Sequence, residues 1–322
     1  MFNFVANSST GDDLSSLRNL SWDEGIVACT RHTWVWALYC QLKMRGVNVS
    51  INYEPVDGAV NIIHGQIARS LLKPADFRRY FIIGIRADFR PFPYGQYEVV
   101  QNIKSEGGNC VYMPLYPQPG LIARSPEREG VSNICFSGRI QNTFDVEHLK
   151  KDLQGMECRF VFKGEGEWQD MSDVDVLLGI RSLSTNSYDS KPSTKLLNAW
   201  HAGIPFIGGY DSGFEHIGSP GINYLRVKTY DELIDAIRRL KEDRGLYQQL
   251  IDEGRKAGQA YTPERITDRW MEFLDGPVAE SFANWSNKKS GFDIKRLGLE
   301  IRFMRESGLL HLQTFRHLVK WP

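Results

Sequence analysis

Apolar positions along the chain alternate between short runs of strand length and longer stretches at helical spacing. "FNFVA" (2–6) reads as a short strand ending in the turn-rich "NSSTGDD", and "WVWALYCQLKMRG" (34–46) as a helix stopped by Gly46. "VNVSINY" (47–53) alternates like a strand, while "AVNIIHG" (59–65) and "YFIIGIRA" (80–87) are continuous apolar runs that predict buried strands. A helix around "QIARSLL" separates those two, and "YEVVQNIKSEGG" (97–108) leads into a strand at "CVYMPLY" (110–116).

The alternation breaks at "PQPGLIARSPEREG" (117–130), where three prolines, two glycines and several charges give the composition of an interdomain linker. It then starts afresh. "VSNICFSGR" (131–139), "CRFVFKG" (158–164), "DVDVLLGI" (173–180) and "IPFIGG" (204–209) predict strands, with a helix at "DVEHLKKDL" (145–153). Between the last two strands, Ser193 and Thr194 are natural N-caps for "KLLNAWHA", which Gly203 and Pro205 terminate. Thr229 and Glu232 form a T-x-x-E capping box ahead of an apolar stripe at Leu233, Ile237 and Leu240. A last helix over 263–274 has Thr262 as its cap and Pro263 at its first position. The pattern predicts two successive doubly wound α/β domains, at 1–122 and 131–275, without an internal repeat.

Residues 276–322 differ in kind. Ile294, Leu297, Ile301, Met304, Gly308, Leu312, Phe315 and Val319 keep three-and-four spacing, and Lys288 to Lys320 carries eight Lys or Arg against three acids. Such a basic helical tail either docks its apolar stripe on the body of the protein or lies on the inner face of an anionic membrane.

Composition narrows the classes. Lys plus Arg (39) balances Asp plus Glu (39), so no global field points to nucleic acid, and any anion site must be local. The five scattered cysteines have no metal spacing and read as reduced, buried thiols. "MFNFVANSSTGDD" lacks the basic start and apolar core of a signal peptide, and no window has the length of a membrane span. A cytoplasmic protein is expected, and the four N-x-S sequons are read as chance.

The chemistry concentrates at "KPSTKLLNAWHAG" (191–203). A helix start leaves backbone N–H groups unpaired and carries partial positive charge, so it attracts phosphate and repels a cation. Lys195 sits there nonetheless. Either its ammonium reaches out into water, or a diphosphate over the helix start resolves the conflict, with Thr194 adding a hydroxyl and Lys191 a second charge. Asn198, within one turn, either bonds sugar hydroxyls or satisfies a loop. Asp173 and Asp175 form a D-x-D, a metal signal in some transferases, but they open an apolar strand.

The whole segment "KPSTKLLNAWHAGIPFIGGYDSGFEHI" resembles the donor-binding segment of GT-B-fold glycosyltransferases of the group 1, glycogen-synthase-like kind. Leu196, Leu197, Ala199, Gly203, Pro205 and Ile207 match that family's pattern, Glu215 matches its trailing glutamate, and "ICFSGRI" (134–140) looks like the strand and Gly-Arg that open its donor domain. The resemblance covers about 131–275. It implies two facing Rossmann-like domains with parallel sheets, the active site between them, and a nucleotide-sugar (UDP- or GDP-linked) on the C-terminal domain. Gly138, Arg139, Lys191 and Lys195 would then surround the diphosphate, with help from Ser193 and Thr194. Asn198 would face the sugar and Glu215 the nucleotide.

The departures from that family are specific. Its second glutamate is Asn198 here, its first falls on Ser190 beside Asp189, and the lysine that follows the Gly-Arg is missing from "GRIQNTF". A helix-start lysine stands in its place, which resembles fucosyltransferase-like sequences with a K-L pair. The activity implied is sugar transfer to a hydroxyl of a glycan or lipid-linked acceptor, as in polysaccharide biosynthesis, with basic groups in place of a metal and no cofactor. His64, ending a first-domain strand, is the candidate base unless it is a satisfied structural histidine; His32 is a weaker candidate. The rival readings are a non-catalytic nucleotide-sugar-binding scaffold and a sugar-nucleotide epimerase.

Overall fold

The computed structural model describes residues 1–22, 33–87, 89–139, 144, 146–287, 298 and 301–305. Strands Phe2–Val5 (β1), Val49–Asn52 (β2), Val60–His64 (β3), Phe81–Ala87 (β4), Tyr97–Val100 (β5) and Cys110–Tyr112 (β6) form one sheet in the order β2-β1-β3-β4-β5-β6. Strands Asn133–Ser137 (β7), Arg159–Lys163 (β8), Val176–Gly179 (β9), Phe206–Gly208 (β10) and Leu225–Arg226 (β11) form a second, in the order β11-β10-β9-β7-β8. Every pairing is parallel, with Phe4 beside Ile62 and Ile62 beside Ile83 in the first sheet, and Cys135 beside Leu177 in the second. The continuous apolar runs of β3 and β4 are buried throughout, as strands with helices on both faces require. Each sheet reverses its strand order once, between β1 and β3 and between β7 and β9, and ligands of such sheets bind at the carboxyl ends beside that reversal.

The segment joining the sheets is tied down by one carboxylate. Asp175, fully buried just before β9, accepts from Arg124 Nε (2.9 Å), Arg128 Nη2 (2.7 Å), Ser132 N (3.0 Å) and Asn133 N (2.8 Å). Burial alone would push its carboxyl up; these donors outweigh burial and hold it at about 2. Asp173, the other half of the D-x-D, pairs with Lys163 at 2.8 Å.

Helix termini follow the expected chemistry. Thr229 Oγ1 accepts from Glu232 N, and Thr262 Oγ1 from Arg265 N, with Pro263 opening its helix. The helix Arg244–Gly258, like the short Leu14–Arg18 and Ser212–Ile217, is absent from the sequence-based expectation, and its glycines do not break it. They mark a crossing instead: a Cβ at Gly254 would lie 2.5 Å from Cδ1 of Trp200.

The chain then returns to the first sheet. The helix Pro263–Phe273, which chain order assigns to the second domain, puts Ile266, Trp270 and Phe273 into the core around Phe4, Trp36 and Ile83. Val278 and Trp285 follow, and Phe303 packs between Phe77 and Tyr94 at ring separations of 5.0 and 4.9 Å. The described parts of the tail therefore dock on the body. Within 301–305 Phe303 is the buried residue, while Ile301 and Met304 of the expected stripe are half-buried. The rest of the basic stripe over 288–320, like His32, lies outside the described residues. No described helix is long and apolar enough to cross a membrane.

Asp175→Ala, which strands two arginines around an empty site, is expected to cost about 3–5 kcal/mol in denaturant unfolding. Gly254→Ala, which overpacks the Trp200 crossing, is expected to cost about 1–3 kcal/mol by the same measurement.

Candidate functional site

The residues singled out in "KPSTK" and "SGR" meet at the strand-order reversal of the second sheet. β7 ends at Ser137, and Gly138 follows with φ +142°, a conformation that an L side chain rarely adopts. Thr194–Ala202 is the helix that follows β9. From its first turn Lys195 reaches back across the reversal, so that its ammonium donates to the Ser137 carbonyl and lies 4.4 Å from the centre of the Phe136 ring. A Cβ at position 138 would come within 2.7 Å of Lys195 Nζ. The backbone angle thus calls for glycine there, and the lysine tip lies directly above it.

The electrostatics of that contact are strained. Burial pushes the Lys195 ammonium down to about 7, and Arg181 adds repulsion, against weaker pulls from Cys135 and Asp211. Arg181 follows β9 and donates from Nε to Asp211 Oδ2 at 2.8 Å; Asp211 follows β10 and is 1% exposed. Burial raises the Asp211 carboxyl, and Arg181 opposes the rise. Asp211 Oδ1 and Thr194 Oγ1 are both buried without a hydrogen-bond partner among the described residues. The carboxyl end of the sheet therefore collects Lys195, Arg181 and Asp211 with two unsatisfied oxygens beside a helix start. Burying such a group unpaired is costly unless something else meets it.

Other expected members sit differently. Arg139 is exposed just past Gly138, with no ion pair to any described residue. Ser193 is the N-cap residue and is buried, but its side chain makes no capping bond. Lys191, half-buried, precedes the helix by one turn. Glu215 lies in Ser212–Ile217 and pairs with Arg226, whose guanidinium stacks 4.2 Å from the Tyr210 ring.

Two expectations are corrected. Asn198 does not present its carbonyl to a sugar: it is buried, and its Oδ1 accepts from the backbone N–H of Gln118 at 2.9 Å, which makes it a strut for the linker. His64 is fully buried, caps the helix Gly65–Leu71 by accepting from Gln66 N at Nδ1 (3.2 Å), and packs edge-on against Phe89 at 5.0 Å. A ring committed in this way serves as a helix cap, the structural alternative that the sequence leaves open for it.

Arg181 and Asp211 were not legible from sequence. Each follows an apolar strand by two or three residues, and the pairing of β9 with β10 brings them together beside Lys195.

No family model matches the sequence, and no curated protein matches it either. Solved structures do. Anabaena HepE in complex with UDP is similar at TM-score 0.52 and 13% identity, over 85% of this chain and 99% of that one. The same protein in complex with UDP and glucose gives TM-score 0.51 at 12% identity over the same shares. Sucrose-phosphate synthase from Thermosynechococcus elongatus follows at TM-score 0.49 and 14% identity, over 77% of this chain and 79% of that one, too slight to bear weight. The fold is the GT-B fold, with its two parallel sheets and C-terminal helices.

The depressed Lys195 pKa sets a sign for stability. Its ammonium titrates lower in the folded than in the unfolded chain, so folding is penalised below pH 7 and relieved as pH rises from about 7 toward the unfolded value. Lys195→Met is expected to be most stabilising, relative to the parent, at pH 6, with the advantage shrinking by pH 9 in paired urea titrations.

Proposed function

We propose that the protein is a glycosyltransferase that moves a sugar from a UDP- or GDP-linked donor to a hydroxyl acceptor of a glycan or lipid-linked class, with the donor diphosphate on the second sheet and the acceptor entering from the first. The observation that carries this reading is the Lys195 ammonium, folded against Gly138 at the start of a helix and at the strand-order reversal, where an anion would offset its burial and the repulsion from Arg181.

In the reaction, the bond between the sugar C1 and the β-phosphate oxygen breaks, and its electron pair stays with the departing diphosphate. The acceptor oxygen bonds to C1 and passes its proton to the departing diphosphate. Charge therefore grows on the diphosphate, where Lys195, the Thr194–Ala202 helix start and the exposed Arg139 supply positive potential in advance. Thr194 Oγ1, buried and unpaired, offers the phosphate a donor. Lys191, one turn upstream, adds charge, and Glu215 lies beyond β10 on the side where a nucleoside would extend. His64 has no part in this scheme. The similar HepE structures hold UDP, UDP with glucose or UDP-glucose, which makes UDP-glucose the first donor to try.

Binding at a hundred times the dissociation constant should stabilise the fold by about 2.7 kcal/mol, visible as a melting shift. We expect a shift with UDP-glucose or GDP-mannose that Lys195→Ala loses, and a fall in donor turnover of about 10²–10³-fold in that variant. No shift with either donor would remove the reading. Because Lys195 sheds its proton near 7 in the free protein, donor affinity should weaken as pH rises from 6 to 8. Calorimetry with a sugar-nucleotide, whose esterified phosphates do not titrate there, checks the slope; a flat profile would place the charge elsewhere.

A further inference from the structure

The turn that carries Lys191 and leads into the phosphate-facing helix is not held by its own sheet alone. Asn102, one residue past Gln101 at the carboxyl end of β5 in the first sheet, is 1% exposed. Its amide donates to the carbonyl of Lys191 (2.9 Å) and to Ser212 Oγ (3.0 Å), while its Oδ1 accepts from the backbone of Lys104 (2.9 Å). Both amide bonds cross from one sheet's unit to the other.

The Lys191 carbonyl is hemmed in from the far side too. A Cβ on Gly213 would approach it to 2.8 Å, so the start of Ser212–Ile217 packs directly on this peptide. Ser212 N donates to Ser187 O, and Ser105 Oγ donates to Asp189 O at 3.0 Å, a second bond between units two residues upstream of Lys191. Tyr112 and His216 meet edge to face at 5.0 Å beside them. Buried amides whose donors are all used give direction as well as energy, because any other placement leaves them unpaired.

We infer that Asn102 is a positioning residue for the donor diphosphate: from the first unit it fixes the 191–193 turn of the second, so that affinity for a nucleoside diphosphate sugar depends on a side chain that does not touch it. This rests on the donor-site reading above. It follows that the diphosphate site is complete only when the two units are in contact. A donor that orders the turn in turn strengthens the contact, because the coupling is reciprocal.

The test separates the two functions of the Asn102 side chain. Asn102→Asp keeps an oxygen that can cap 103–105 as well as asparagine does, but it has no N–H for Lys191. Asn102→Ser also keeps a cap oxygen and is too short to reach that carbonyl. Calorimetry with UDP-glucose and GDP-mannose, alongside amide hydrogen exchange over 187–194, is run on the full chain of the parent, both variants and Lys195→Ala. Affinity about tenfold weaker in Asn102→Asp and Asn102→Ser, with faster exchange concentrated in 187–194 and melting lowered but still cooperative, is the expected result. A cap lost from 103–105 would leave donor affinity and that exchange unchanged. Affinity within twofold of the parent in whichever variant folds, while Lys195→Ala abolishes binding, overturns the positioning role and leaves the donor site standing. If the parent binds neither donor, the donor-site reading fails, and the role of Asn102 with it.

Discussion

The structure depends on a buried carboxylate that is outnumbered by its donors. Asp175 gathers Arg124, Arg128 and the backbone of 132–133 around one side chain with no solvent exposure, so the chain leaving the first sheet enters β7 in a single direction. Alone, a charge in that place would be prohibitive; with six hydrogen bonds from four residues it becomes a fixed point. It lies ahead of β9, at the amino end of the sheet. The opposite, carboxyl end is left to Lys195, Arg181 and Asp211. The two ends of β9 thus differ in kind, one acid for assembly at the first and the Lys195, Arg181 and Asp211 cluster at the second.

That division explains a conflict left open by local rules. A lysine in the first turn of a helix opposes the helix dipole, and this one is also drawn into a low-dielectric position beside another cation. Local preference and global structure agree almost everywhere else in the chain, from the Thr229 and Thr262 caps to the buried β3 and β4. Positions where they disagree are where function is expected to reside.

What could be read in advance follows the range of the physics. Continuous apolar runs and N-caps act over a few residues, and they placed the strands of both sheets, all but the two-residue β11, and the Thr194–Ala202 helix close to where they lie. The Gly138, Lys195 encounter was foreshadowed by the family resemblance, though not its geometry, in which the lysine lies against the glycine backbone. Contacts set by topology were beyond reach. Arg181 and Asp211 are ordinary loop residues until β9 and β10 are laid side by side, Gly254 looks like a breaker until Trp200 is found against it, and Asn198 looks like a ligand until Gln118 is found on its oxygen. His64 failed for a related reason: sequence shows that it ends a strand, but not that its ring turns in to cap the next helix.

The return of Pro263–Phe273 and Ala279–Asn287 to the first sheet means that the chain crosses between the two units twice, once through 113–132 and again near 259–263. Two crossings define an axis where one would define only a pivot. Rotation about that axis requires small backbone changes at each crossing, whereas twisting or sliding would have to stretch one of them. The units are thus doubly tethered, and the Trp270 and Trp285 side chains anchor the second crossing in the core of the first sheet.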